Sequence, residues 1–329
     1  MMNDNCKNIL IICPVFHGYE ERIISCIRQS KKYNNIYYIK DTPLNSEKIY
    51  LYLKNLIPRL SAVLLKLFNK RILKFVRKNK INTLFIVKGT YVYSDTMSII
   101  QKEFPEIKVV LYEWDSIFSN PNALNLLNVI KNSYTFDFDD AHSYDRYKYL
   151  PLFYSFDQLP EQTHKNKDID FLLVCAFSVE RMPIFLKIKD LCERNGWIFA
   201  FHFYVQHGVY LKYKSTMRPY KSFISFESLD YEKYYSLVCR AKAVVDIVGS
   251  GQTGLTIRTI EALSQNCHLL TTNKRIAEME FYTDNNITIV DYNKISKEVL
   301  EMTLKKEFDK SYNNEIYSTK EWLKKMDIV

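Results

Sequence analysis

Short apolar runs recur along this chain, each bounded by polar turns and followed by a stretch with helical spacing. In the first half the runs predict strands at NILIICPVF (8–16), NIYYIK (35–40), TLFIVKG (83–89), KVVLYEW (108–114) and SYTFDF (133–138). In the second half they predict strands at DFLLVCAF (170–177), IFAFHFYV (198–205), AVVDIV (243–248), HLLTT (268–272) and ITIVDY (287–292). Helical patterns lie between them, the longest over roughly 47–79 and others near 181–194, 231–240 and 255–265. Strands and helices alternating in this way argue for parallel sheets built from βαβ units.

The segment LPLFYSFDQLPEQTHKNKD (150–168) carries two prolines, charge and no periodicity, so the domain boundary is placed within 156–168. The expectation is an α/β chain of two Rossmann-like domains with mainly parallel sheets, facing one another across a cleft. The first would cover 1–158 and the second 159–329, with the last helix packing back on the first. Ligands of such sheets bind outside the carboxyl ends of the strands.

Composition adds limits. With 329 residues, 47% of them hydrophobic, there is material for two cores. The net charge of +9 favours anionic partners: nucleotide diphosphates, phosphorylated glycans or acidic lipid surfaces. No recognised nucleic-acid motif accompanies it, so nucleic acid is set aside. The seven cysteines form no CxxC pair and are odd in number, which points to buried free thiols in a reducing compartment and against a zinc site or disulfide framework. The first apolar run is too short to span a membrane and precedes no cleavage pattern. A cytoplasmic protein is expected, with peripheral contact at the inner face of the cytoplasmic membrane.

That contact would come from residues 54–80. Residues 49–94 hold ten bases and no acid, and NLIPRLSAVLLKLFNKRILKFVRKNK mixes leucines with Lys and Arg at near-helical spacing. Such a helix either lies on an anionic bilayer or is a domain helix with a solvated basic face.

The stretch GSGQTGLTIRTIEAL (249–263) holds three of the seven glycines. Gly249, Gly251 and Gly254 have the dinucleotide-binding spacing, between a strand and a helix. Amides at a helix start attract phosphate, and glycines let it approach the backbone; Thr253 and Thr256 add hydroxyls. Alternatively the glycines serve only a tight turn. A dinucleotide site also wants an acid about twenty positions on, at the end of the next strand. HLLTTN ends there in Thr272 and Asn273. Within the helix Arg258 and Glu261 stand on one face. They form either a surface ion pair or a contact to a diphosphate (Arg258) and a ribose diol (Glu261).

The stretch from ISFESLDYEKYY through AVVDIVGSGQTGLTIRTIEAL to HLLTTN resembles the donor-binding half of GT-B glycosyltransferases. Most similar are bacterial glycosyltransferases of lipopolysaccharide-core and capsule biosynthesis. LFIVKG (84–89), VLYEWDSI (110–117) and YTFDFDDAHSYDRYKYLPLFY (134–154) resemble that group too. The resemblance implies a nucleotide-sugar donor, with Glu261 on the ribose and Gly251, Gln252, Thr253, Gly254, Leu255 and Arg258 around the diphosphate. It implies a glycan or lipid-linked glycan acceptor and no metal cofactor. Where relatives commonly carry a helix-ending glycine this chain has Asn266, the next-best residue for a left-handed cap.

Other residues at expected strand ends complete the set. Ser178 and Arg181 follow the first strand of the second half, as donor-phosphate ligands or as an ordinary helix start. His17, Glu113 and Asp115 are alternative catalytic bases for a sugar hydroxyl, and Lys88 could neutralise phosphate. Asp-x-Asp occurs in FDFDD (136–140) and DID (168–170), and neither is expected to hold metal. A nicotinamide or flavin enzyme, and an inactive glycan- or partner-binding protein of the same fold, are the competing readings.

Overall fold

The computed structural model describes residues 7–156, 167–249, 253–311 and 314–329. The chain divides into two compact units, one running to Leu152 and including Thr319–Val329, the other Phe153–Ser318. Most of the segment expected as a linker lies outside the described residues.

The first unit carries strands β1 (Asn8–Cys13), β2 (Asn35–Lys40), β3 (Thr83–Val87), β4 (Lys108–Glu113), β5 (Asn132–Thr135) and β6 (Tyr147–Tyr149) in one parallel sheet of order β2-β1-β3-β4-β5-β6. Between them run helices α1 (Tyr19–Gln29), α2 (Glu47–Leu56), α3 (Pro58–Asn79), α4 (Ser94–Glu103), α5 (Asn122–Leu127) and α6 (Phe138–Ser143). β1 and β3 are buried along their whole length, because helices cover both faces of a parallel sheet. The long helix expected over 47–79 is two helices. Pro58 has no amide for the ladder and pushes the preceding Ile57 to ψ 72°, out of the helical region, so α3 starts afresh with proline in its first turn.

In the second unit, β7 (Ile169–Ala176), β8 (Phe199–Tyr204), β9 (Ile224–Ser225), β10 (Ala241–Asp246), β11 (His268–Thr271) and β12 (Ile287–Ile289) make a parallel sheet of order β12-β11-β10-β7-β8-β9. Its helices are α7 (Met182–Asn195), α8 (His207–Lys212), α9 (Lys214–Met217), α10 (Tyr231–Arg240), α11 (Ile257–Ser264) and α12 (Lys297–Lys305). The core includes an aromatic cluster in which Phe185 meets Phe201 and Phe203 edge-on at centroid distances of 4.8 Å. Asn266 takes the left-handed conformation after α11, at φ 52°.

The last helix, α13 (Thr319–Lys325), belongs to the first unit. Trp322 is 1% exposed and packs edge-on against Tyr112 at 4.7 Å. Beyond it, Asp327 pairs with Lys108 at 2.6 Å and Lys32 at 2.9 Å. Two short strands, β6 and β9, escaped the sequence pattern because three and two residues carry no readable alternation. The six cysteines among the described residues are buried free thiols.

Candidate functional site

In each sheet there is one place where neighbouring strands send their crossovers to opposite sides, opening a crevice at the carboxyl edge. In the second unit it falls between β7 and β10. Arg181, in the turn after β7, reaches across it. Its Nε donates to the Ile247 carbonyl, just past β10, and its Nη1 to the Ala176 carbonyl that ends β7, both at 2.8 Å. Its Nη2 comes within 3.6 Å of where a Cβ on Gly249 would stand, so the first glycine of the loop lies directly against the guanidinium. Ser178 is half-buried, and its carbonyl accepts from the Arg181 amide at 3.2 Å.

Arg258 turns back toward the strand. Asp246, the buried last residue of β10, accepts from Arg258 Nε at 3.1 Å and Nη2 at 2.9 Å on one oxygen, and from Thr259 Oγ1 at 3.2 Å on the other. Burial works against the Arg258 charge and Asp246 more than restores it, leaving its pKa above the ordinary guanidinium value. Burial raises the Cys175 thiol alongside, with Arg258 and Arg181 pulling the other way.

The helix itself begins later than its apolar spacing suggests. Thr256 is the N-cap of α11, its hydroxyl accepting from the Thr259 amide at 3.3 Å, so that hydroxyl is committed to the cap. Leu255 is fully buried in the core, and only its backbone can face a ligand. Asn273, after β11, donates to the carbonyls of Thr253 and Gly254 at 3.2 Å each. The side chain that stands where a dinucleotide site wants an acid is therefore spent holding the loop. Glu261 is fully buried, and Tyr231 on α10 donates to its Oε1 at 2.8 Å. Burial and the nearby Glu261 push the Tyr234 phenol well above its ordinary value. Gly251 and Gln252 lie outside the described residues.

The first unit gathers the other candidates at its own carboxyl edge. Lys88, just past β3, has left-handed backbone (φ 71°), and its Nζ stands 2.7 Å from Asp115. Glu113, the last residue of β4, is 1% exposed, its Oε2 accepting from Asn120 at 3.1 Å. Its other carboxyl oxygen has no hydrogen-bond partner, and burial pushes its pKa well above the carboxylate range. Glu113 is thus closed to solvent, whereas Asp115 is partly open to it. His17 sits exposed on the loop after β1, edge-on to Phe16 at 4.7 Å. Desolvation lowers its pKa, with Glu20 opposing. Phe16 in turn contacts Trp114 at 5.6 Å, so the loops after β1 and β4 meet.

Three participants escaped the sequence reading: Asp246, Asp41 and Asn120. Asp41, 2% exposed, accepts from the amides of Thr90 at 2.8 Å and Tyr91 at 3.2 Å, and burial lifts its pKa to about 7. Asn120 binds the Lys88 carbonyl at 2.8 Å as well as Glu113. One signal was present for Asp246: an acid inside the otherwise apolar run AVVDIV. Four carboxylates of the two Asp-x-Asp stretches have partners within the fold. Asp137 caps α6, Asp140 accepts from the Ile117 amide at 2.8 Å, Asp168 pairs with Arg240, and Asp170 pairs with Lys242. Among the described residues no group of three or more His, Cys, Asp or Glu side chains could hold a metal ion.

Two six-stranded parallel sheets, each with polar and ionisable side chains gathered at its carboxyl edge, define the pair of Rossmann-like units of the GT-B fold. Solved structures agree. The chain is similar to UDP-GlcNAc 2-epimerase of Methanocaldococcus jannaschii, in complex with UDP-GlcNAc and UDP, at 14% identity and TM-score 0.58, covering 98% of this chain and 99% of that one. It is similar to AviGT4, a glycosyltransferase involved in avilamycin A biosynthesis, at 10% identity and TM-score 0.61, covering 97% and 95%. The lipopolysaccharide outer core galactosyltransferase WaaB matches at 11% identity and TM-score 0.52, covering 97% and 95%. No protein-family model matches the chain, and no curated protein sequence matches it. At these identities the likeness is one of fold.

Proposed function

We propose that this protein is a glycosyltransferase that moves a sugar from a nucleoside diphosphate donor to a glycan or lipid-linked glycan acceptor of lipopolysaccharide or capsule type. The observation that carries the donor site is the crevice between β7 and β10, where Arg181 lies against Gly249 and the capped start of α11 follows the loop. A diphosphate there meets a guanidinium and the positive end of the α11 dipole, which stabilise charge on a leaving phosphate without a metal. Arg258 supports this indirectly: paired to Asp246, it fixes the helix to the strand rather than meeting the ligand head-on. Glu261 remains the residue for the ribose diol, and because it is closed to solvent, its surroundings must open to admit the nucleoside.

The acceptor hydroxyl needs a base, and the accessible candidates are Asp115 and His17. Glu113, buried and bonded to Asn120, supports the loop instead. A nicotinamide or flavin enzyme is disfavoured, since Asn273 binds the loop and no acid ends β11. A nucleotide-sugar epimerase is the second reading, favoured by the likeness to an epimerase holding UDP-GlcNAc.

The test is a thermal-shift panel of nucleotide sugars, UDP-sugars first, beside NAD and FAD, on the native chain and on Glu261→Ala. Stabilisation by one nucleotide sugar, lost in the folded variant, is expected; stabilisation by a dinucleotide alone overturns the reading. Following the stabilising sugar by NMR then separates the two reactions. Transfer releases nucleotide only with an acceptor, whereas epimerisation changes the sugar without one.

A further inference from the structure

Helices α2 and α3 carry a surface that neither the fold nor the proposed transfer uses. Tyr52, Leu56, Ile57, Leu60, Val63 and Leu67 are each between 41% and 65% exposed. Isolated apolar side chains at a surface are ordinary, but a cluster this dense along one helical hairpin marks a contact site. The whole elbow from Leu56 to Leu60 stands out in solvent. On α3, at 100° per residue, Arg59, Val63, Lys66, Leu67, Lys70 and Lys74 fall within one arc of about 100°. The opposite face, with Phe68, Ile72 and Val76, is buried in the core, so the hairpin cannot rotate its apolar side chains away from water.

Charge decides what covers this surface. No acid occurs between Glu47 and Asp95. Lys54, Arg59, Lys66, Lys70 and Lys74 form no ion pair among the described residues, whereas Arg77 farther along α3 is paired with Glu103. A second copy of the chain would bring the same unopposed bases face to face. An anionic bilayer supplies both complements at once: negative headgroups for the bases and acyl chains for the apolar elbow. No helix among the described residues is long and apolar enough to cross a membrane. α3 has the length, at 22 residues, but its bases confine it to the interface.

We infer that the α2–α3 hairpin docks the protein on an anionic lipid surface, with the Leu56–Leu60 elbow entering the headgroup and acyl boundary and the α3 bases lying over the headgroups. The inference rests on this hairpin alone and stands whether or not the proposed transfer does.

The experiment is co-sedimentation of the full chain with vesicles of phosphatidylcholine alone, or of phosphatidylcholine with about a third phosphatidylglycerol, near 0.15 M salt. Binding only to the anionic vesicles is expected, since each base near such a surface raises partition on the order of fivefold. Ile57→Asp, and separately the pair Lys66→Glu with Lys70→Glu, should each lower the bound fraction at least about tenfold while circular dichroism stays unchanged. The pair Lys212→Glu with Lys214→Glu, on the second unit, makes the same change in net charge and should leave binding intact. Equal loss in both pairs would reduce the effect to net charge and overturn the site. So would absence of binding by the native chain, or a dimer that Ile57→Asp dissolves without any vesicle binding.

Discussion

Asp41 offers the sharpest physical test of the first unit. It sits just past β2, buried, and its carboxylate oxygens accept from the amides of Thr90 and Tyr91. Those bonds tie down the loop that begins with Lys88 and Gly89, both at positive φ. The groups acting on it are Lys88, which favours its charge, and Glu47, which opposes it; burial outweighs both and lifts its pKa from 3.8 to about 7. The unfolded chain releases this proton near pH 4, whereas the folded chain holds it until about pH 7. In that window the folded state binds more protons, so stability falls as pH rises, at about 1.4 kcal/mol per pH interval. The total is about 4 kcal/mol, present in full below pH 4 and lost above about pH 7. Asp41→Asn cannot titrate. Its cost, an amide group set against a backbone donor, is about 1–3 kcal/mol at every pH. Urea unfolding from pH 4 to pH 8, followed by tryptophan fluorescence in a Trp197→Phe background, reads Trp114 and Trp322 of the first unit alone. The native-minus-variant stability should shrink by about 4 kcal/mol across the window and then level. Acids that do not interact with Asp41 cancel in that difference. A difference that stays flat, or grows with pH, refutes the reasoning.

Two further expectations follow from the same geometry. A Cβ at Gly89 would stand 2.6 Å from Leu126 Cδ1, in the core, at a backbone φ of +62°. Gly89→Ala should therefore cost about 1–3 kcal/mol in urea unfolding, and an unchanged midpoint would show that the core yields freely. Asp246→Ala should cost about 3–5 kcal/mol by stranding the Arg258 guanidinium, and Arg258→Met added to it should recover part of the loss. Strict additivity of the two changes would show that the pair is not coupled.

Much of the fold lies in local pattern. Strand and helix periods differ, and continuous apolar runs such as NILIIC and TLFIV belong to strands covered on both faces. Ten of the strands are therefore legible in the amino-acid sequence, each within a few residues of its observed ends. The glycine loop and the helix behind it are equally local. Short β6 and β9 are not, because they exist through their neighbours rather than their own sequence.

What tertiary structure decided is which side chain meets which. In the sequence Arg258 and Glu261 are neighbours on a helix face. In the fold they part, Arg258 to Asp246 at the end of β10 and Glu261 to Tyr231 on α10. Arg181 becomes a link between two strands only because β7 and β10, far apart in the chain, lie side by side. Glu113 and Asp115 look alike as bases two residues apart. β4 ends at Glu113 and buries that carboxyl, whereas Asp115 lies beyond the strand, in the following loop, where it pairs with Lys88. Charge and hydrogen-bond partners depend on distances of a few ångströms across the sheet, which no spacing along the chain encodes.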